Sequence, residues 1–252
     1  MTDSTQRFSS RVENYVKYRP GYPQAILDLL AEKCGLNRKS VIADVGSGTG
    51  ILTRLLLESG AKVFAVEPNR EMREAAEALL SRQPNFASVT GTAESTTLDA
   101  ASVDLITAGQ AFHWFDRVKT RREFSRILKP GGCVALIWND RRTEATPFLR
   151  AYEQLLQSFA TDYAAVDHKQ IDAAVIAEFF RPGRFKVASF PNQQVFNFAG
   201  LRGRLESSSY APEAGHPKHA PMLKTLREIF DAHQTGGKVV FEYDTQVYYG
   251  QL

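Results

Sequence analysis

Apolar residues along the chain fall into two rhythms. Four short runs, Val41–Val45, Lys62–Glu67, Val103–Ala108 and Cys133–Trp138, are nearly continuous in hydrophobic residues and bounded by turn residues. Runs this short and uniform fit strands buried on both faces of a parallel sheet, because an amphipathic helix would interleave polar positions. Between them, Ile51–Ser59, Arg70–Arg82 and Arg117–Leu128 place apolar residues three and four apart, the spacing of one helix face. The last of these stops at Lys129-Pro-Gly-Gly132, where proline cannot continue a helix and glycine permits a sharp turn. Strand alternating with helix predicts right-handed crossovers and an α/β fold with helices on both faces of the sheet.

The rhythm changes after Asn139. Thr146–Ala160 and Gln170–Phe180 predict two helices that interrupt the strands and form a cap, the second ended by Arg181-Pro-Gly183. Phe185–Phe198 and Lys238–Tyr248 alternate apolar and polar residues, as half-exposed strands do, and a helical segment at Met222–His233 separates them. No internal repeat or low-complexity linker divides the chain. The expectation is a single domain over 1–252: N-terminal helices to 39, a core at 40–140, the cap at 141–184, and closing strands and helix at 185–252.

Composition narrows the function classes. At 252 residues with 43% hydrophobic and 23% charged residues, the chain can bury a sizeable core and is not disordered. A net charge of +3 without any long basic run predicts neither a nucleic-acid partner nor a membrane surface. The N-terminus lacks the apolar core of a secretory signal, and no apolar run approaches the roughly 20 residues that span a bilayer. A cytoplasmic protein, monomer or homodimer, is expected. Cys34 and Cys133 are read as reduced, structural thiols, since neither has a second Cys or His at metal-ligand spacing. His216 and His219 have such spacing, but Pro217 lies between them and no matching ligands follow, so no metal is expected.

The chemistry concentrates in Asp44-Val-Gly46-Ser47-Gly48-Thr-Gly50, which joins a predicted strand to a predicted helix. Glycine there lets a ligand approach the backbone, at the carboxyl end of a strand where open α/β sheets bind nucleotides. The spacing is G-x-G-x-G and departs from the dinucleotide fingerprint G-x-G-x-x-G. Asp44 is a second departure: its carboxylate would repel a pyrophosphate but could accept hydrogen bonds from an ammonium group. Glu67, seventeen residues after Gly50, ends the second strand and suits a ribose diol. Glycine spacing and Asp44 together favour S-adenosylmethionine over a nicotinamide dinucleotide.

With these residues in place, the chain resembles the class I S-adenosylmethionine-dependent methyltransferases. Asp44–Gly50 is similar to that family's first motif and Glu67 to its ribose-binding acid. Gly91-Thr92-Ala93-Glu94 is similar to the loop bordering the adenine. Asp104–Gln110 resembles the strand and turn facing the sulfonium, and Ile127–Gly132 the helix end before the fifth strand. Two further segments, Phe8–Pro23 and Gln110-Ala111-Phe-His113-Trp114-Phe-Asp116, resemble the branch that includes trans-aconitate methyltransferase-like proteins. The resemblance implies a Rossmann-like, doubly wound, seven-stranded and mostly parallel sheet with an antiparallel C-terminal strand. It also implies methyl transfer by in-line displacement to O (carboxylate or hydroxyl) or N of a small-molecule acceptor, an acidic metabolite among the candidates.

The resemblance further implies a donor site of Tyr18, Arg19, Asp44, Gly46, Ser47, Gly48, Gly50, Glu67, Pro68, Met72, Thr92, Ala93, Glu94, Gln110 and Ala111. An acceptor pocket of Tyr15, Tyr22, His113, Trp114 and Tyr210 would lie beside it. Several readings stay open. Tyr15, Tyr18 and Arg19 either close over the donor or form a surface helix packed on the core. His113 is either a general base for a protonated acceptor or a structural histidine. Ser207-Ser-Ser-Tyr210 has no base partner and reads as a polar patch near the acceptor. The alternatives to a methyltransferase are a non-catalytic S-adenosylmethionine-binding protein and an NAD-dependent oxidoreductase.

Overall fold

The computed structural model of the chain describes residues 12–161, 163 and 173–252. Phe8–Arg11 of the N-terminal motif and residues 170–172 of the second expected cap helix lie outside them. Seven strands form one sheet: β1 (Val41–Val45), β2 (Lys62–Val66), β3 (Phe86–Val89), β4 (Val103–Gly109), β5 (Leu128–Arg141), β6 (Phe185–Phe196) and β7 (Val239–Gly250). Their order is β3-β2-β1-β4-β5-β7-β6. Strands β1 to β5 pair in parallel, while β7 runs antiparallel to both β5 and β6. This is the doubly wound Rossmann-like sheet with one antiparallel C-terminal strand.

The four apolar runs are continuous because both of their faces are covered. Along β5, Cys133, Ala135 and Ile137 meet α2 (Ala25–Cys34) and α3 (Ile51–Leu57) in one cluster. Val134, Leu136 and Trp138 point the other way, into the layer of α5 (Arg117–Ile127) and α7 (Ala173–Phe180). Strand side chains alternate between faces, so a strand covered on both sides has no polar phase. β3 has only four residues, none of them fully buried, and lies at the sheet edge, so its sequence carries no comparable apolar run.

Helix starts follow local chemistry. Asn69 and Asp116 accept the amides of Met72 and Lys119 and thereby cap α4 (Arg70–Leu80) and α5. Thr146 accepts Leu149's amide at the head of α6 (Pro147–Phe159), where Pro147 takes the first turn. Each such cap satisfies a donor that the helix itself cannot.

The structure departs from the sequence expectations in several places. The expected cap divides. α6 joins α8 (Phe198–Glu206) and α9 (His219–His233) over the outer ends of β6 and β7, whereas α7 packs beside α5 on the sheet. Ile176, Phe179 and Phe180 are all buried there, which makes α7 a core helix. α8 was not expected: Phe198 was read as the end of a strand, and residues 199–206 were assigned to no element. Asn197 caps it through the Gly200 amide, so the chain turns from β6 into a helix at once. β5 extends back to Leu128, with a register break opposite Val103–Leu105 that absorbs the Pro-Gly-Gly turn.

The reading of Cys34 and Cys133 as separate reduced thiols is corrected: a disulfide joins them across 99 residues. α2 packs on the sheet face that carries Cys133 and ends beside it, bringing the two Cα atoms within 5.6 Å. Spacing along the chain carries no trace of such a pairing. Among the described residues, no helix is long and apolar enough to cross a membrane.

Candidate cofactor and acceptor site

The strand order reverses between β1 and β4, so the loops leaving their carboxyl ends diverge and open a crevice. The loop after β1 lines one side. Gly46, Gly48 and Gly50 all have positive φ, at 68°, 56° and 82°. At Gly46 a Cβ would lie 2.6 Å from the Ala111 methyl, so the turns after β1 and β4 close only around glycine.

The amides of Gly46, Ser47, Gly48 and Gly50 are engaged within the protein. Those of Gly46 and Ser47 donate to the Val66 carbonyl at 2.9 and 3.2 Å, that of Gly50 to the Ser47 carbonyl, and that of Gly48 to Glu67 Oε2 at 2.8 Å. Asp44 is completely buried. Its two oxygens accept from the Thr53 and Thr107 hydroxyls at 2.6 and 2.8 Å, and the Thr53 amide adds a further bond. The carboxylate therefore sits against the first turn of α3, where a dinucleotide fold would hold a phosphate. Burial pushes its pKa up to about 6, against the opposing pull of the threonine bonds.

Glu67 follows β2 and is 8% exposed. Its oxygens receive the Gly48 and Asn69 amides at 2.8 and 2.9 Å, and burial raises its pKa. Each oxygen keeps a lone pair for a ligand. Pro68, Asn69 and Met72 continue the wall, followed by Thr92, Ala93 and Glu94, whose Oε1 also accepts the Asp116 amide at 2.8 Å. From β4 come Gly109, Gln110 and Ala111. Gln110 stands at φ 54°, a left-handed conformation costing about 1–3 kcal/mol in a residue with a side chain. Its amide donates to the Ile137 carbonyl at 2.8 Å, which holds it there. Trp114 and Phe115 close this side.

The N-terminal segment after α1 (Val12–Tyr18) forms the roof. Tyr15, Arg19, Pro20 and Tyr22 all line the cavity. Four side chain–backbone bonds pin this segment. Gln194 Nε2 donates to the Tyr18 carbonyl at 3.1 Å, and Arg19 Nη2 to the Ser207 carbonyl at 2.9 Å. Asn139 and Asn192 amides both donate to the Gly21 carbonyl, at 3.2 and 2.9 Å. Burial pushes the Tyr22 phenol well up, with smaller contributions from Tyr15 and Asp44. Arg19 is pulled below its ordinary value by burial and by the neighbouring Arg204 guanidinium.

A methyltransferase-domain family profile matches residues 43–136, the stretch that holds most of these walls. A methyltransferase-like protein of Schizosaccharomyces pombe is 32% identical over 246 residues, covering 96% of this chain and 93% of that protein. The chain belongs to the class I S-adenosylmethionine-dependent methyltransferases. An uncharacterized methyltransferase of Mycobacterium tuberculosis is 39% identical over 139 residues, 55% of this chain and 54% of that relative's length. In fold, the chain is similar to a type II methyltransferase candidate from Anaeromyxobacter dehalogenans, with a TM-score of 0.66 at 22% identity over 93% of this chain and 98% of that one.

Within this methyltransferase fold, four of the sequence-nominated residues lie away from the cavity wall. Tyr18 turns its ring onto Gly203 of α8, where a Cβ would stand 2.0 Å from the ring. Gly50 caps α3 and faces Leu80 and Ala76. His113 lies in the short turn Phe112–Trp114 with its ring 4.7 Å from that of Trp114, and the wall passes through its neighbours. Tyr210 packs against Tyr163, ring centroids 4.9 Å apart, behind the wall. Conversely, Asn69, Phe115, Asn139, Arg204 and Tyr243 do line the cavity and were not nominated. Asn139 directly follows a run read as strand and nothing more, while Arg204 and Tyr243 lie on elements with no motif.

Proposed function

We propose that this chain binds S-adenosylmethionine in the crevice between the β1 and β4 loops and transfers its methyl group to a small-molecule acceptor. The observation carrying this reading is Asp44 at the head of α3 together with a glycine loop whose Gly46, Ser47, Gly48 and Gly50 amides are already engaged. A pyrophosphate would meet a carboxylate and loop amides that mostly point elsewhere, whereas an ammonium group would find an acceptor. The remaining donor set fits as well: Glu67 has lone pairs for a ribose diol, Thr92 to Glu94 border an adenine, and Arg19 offers a guanidinium to a carboxylate.

When bound, S-adenosylmethionine supplies a methyl group already activated on a sulfonium. The chain's own task is alignment and exclusion of water. Holding two reactants in line is worth about 7–11 kcal/mol of barrier. Gln110 and Ala111 hold the turn after β4 against the glycine loop, and Tyr15, Tyr22, Trp114 and Phe115 wall the cavity with aromatic surface. An ionised acceptor needs no base, which suits a wall that His113 does not join. The roofed cavity favours a small molecule over nucleic acid.

Calorimetry with S-adenosylmethionine, S-adenosylhomocysteine and NAD side by side tests the donor, with micromolar binding of the first two and none of NAD expected. NAD binding would return the chain to the oxidoreductase reading. Transfer of a labelled methyl group across an acceptor library then tests catalysis. Donor binding without turnover on any acceptor would favour a non-catalytic binding protein.

A further inference from the structure

Three arginines from distant parts of the chain converge around Tyr210: Arg19 after α1 and Arg204 on α8, which line the cavity, and Arg141 at the end of β5, which does not. Together they hold the Tyr210 phenol below its ordinary value although burial alone would raise it. Guanidiniums do not gather in a dry interior without anions, because an uncompensated buried charge costs several kcal/mol. Each one's counter-charge can therefore be sought.

Arg141 has one: it pairs with the Glu153 carboxylate, which Tyr163 also contacts at 2.9 Å. Arg19 has a prospective one in the donor's carboxylate, on the reading proposed above. Asp44, Glu67 and Glu94, the acidic residues of the wall, serve the donor's ammonium, ribose and adenine ends on that same reading. Arg204 is left over. It is 5% exposed, lines the cavity, donates to the Ser208 hydroxyl at 3.1 Å and bonds the Tyr243 phenol. Its Nε is shut off from solvent and has no partner among the described residues, and no carboxylate there pairs with it.

We infer that Arg204, seated between Tyr243 and Ser208, is the anion-recognising residue of the acceptor side, so that the methyl acceptor carries at least one carboxylate or phosphate group. The inference rests on the donor reading for its placement of Arg19. Arg19 and Arg204 are also mechanically joined. Tyr18 packs on Gly203, the residue before Arg204, and Arg19 is tied to the Ser207 carbonyl three residues after it. The roof over the donor and the seat for the acceptor's anion are thus one unit, and an anion on Arg204 stabilises the docked roof.

The test uses full-length protein in thermal-shift and calorimetric titrations with acetate, succinate, citrate and inorganic phosphate, each at constant ionic strength, with and without S-adenosylmethionine. At least one of these anions should raise the melting temperature saturably. Arg204→Gln should weaken that anion at least tenfold and the donor by a much smaller factor, and Arg19→Gln should mainly weaken the donor. Equal anion affinity in Arg204→Gln, or no anion effect beyond ionic strength, overturns the proposal. If Arg204→Gln does not fold, Arg204→Lys decides: it keeps the charge but not the planar fork, so anion affinity should fall severalfold, and unchanged affinity overturns the proposal. Wild-type protein that binds an anion through Arg204 but not S-adenosylmethionine would sink the donor reading alone. Donor binding without any anion effect would sink this inference alone.

Discussion

The two ends of the cavity are built in different ways. The end proposed for the donor comes from four loops, those that follow β1 to β4, with every key group within a few residues of a strand terminus. Its hydrogen bonds are short-range in the fold: Glu67 to Gly48 and Asn69, and Asp44 to Thr53 and Thr107. The end proposed for the acceptor comes from α1, the end of β5, α8 and β7, segments far apart in sequence that meet through bonds such as Arg19 to Ser207, 188 residues apart. A donor shared by many enzymes can be held by a local motif. An acceptor specific to one enzyme is met by side chains drawn from variable elements over a common sheet.

Four changes would sharpen or break this contrast. Glu67→Ala removes a buried carboxylate that two amides hold in place, so the expected loss is about a hundredfold or more in S-adenosylmethionine affinity by calorimetry, as for two charge-assisted hydrogen bonds. Retention of wild-type affinity would remove Glu67 from the donor site. Gly203→Ala pushes a methyl into the Tyr18 ring and separates roof from seat. Overpacking of this kind costs about 1–3 kcal/mol, or several degrees of melting temperature. Both KM values should rise together. A rise in one alone would show that the two ends are not joined through α8.

Asp44 makes the site sensitive to pH. With its pKa at about 6, above the ordinary carboxylate range, Asp44 is protonated in the folded protein at pH 5 and ionised at pH 7. Donor affinity should therefore rise with pH through about 6, and Asp44→Asn should flatten that step. The stability term has the opposite sign. The folded state binds the extra proton, so this group's contribution declines as pH rises from about 4 to 6. Asp44→Asn should then melt higher than wild type at pH 7 while binding the donor less well. A melting temperature that drops in the variant would contradict this assignment. The smallest effect is expected at His113, outside the wall: His113→Ala should change kcat by about threefold or less with an anionic acceptor. A loss beyond a hundredfold would restore it as a base.

Much of the end proposed for the donor was legible in the sequence. Glycine spacing, Asp44 and Glu67 lie at fixed offsets from strand ends, and a strand buried on both faces announces itself as an apolar run. The acceptor end was not legible. Arg204 sits on a helix hidden behind a strand-like stretch, and Tyr243 on a strand read only by its alternation. His113 and Tyr210 carried chemically suggestive side chains but lie beside the wall, because a turn's direction decides which of its residues faces inward. The disulfide was missed for the same reason, since Cys34 and Cys133 become neighbours only when α2 folds onto the sheet.

The chain's pattern alone thus determined the central parallel strands and the glycine turn after the first of them, all set by local periodicity and short-range backbone geometry. Only the tertiary structure decided that Asp44 would occupy the head of α3, that α7 belongs to the core, and that Arg19 and Arg204 share one dry corner. Those outcomes depend on burial and charge summed over segments far apart in sequence, and no local window contains them.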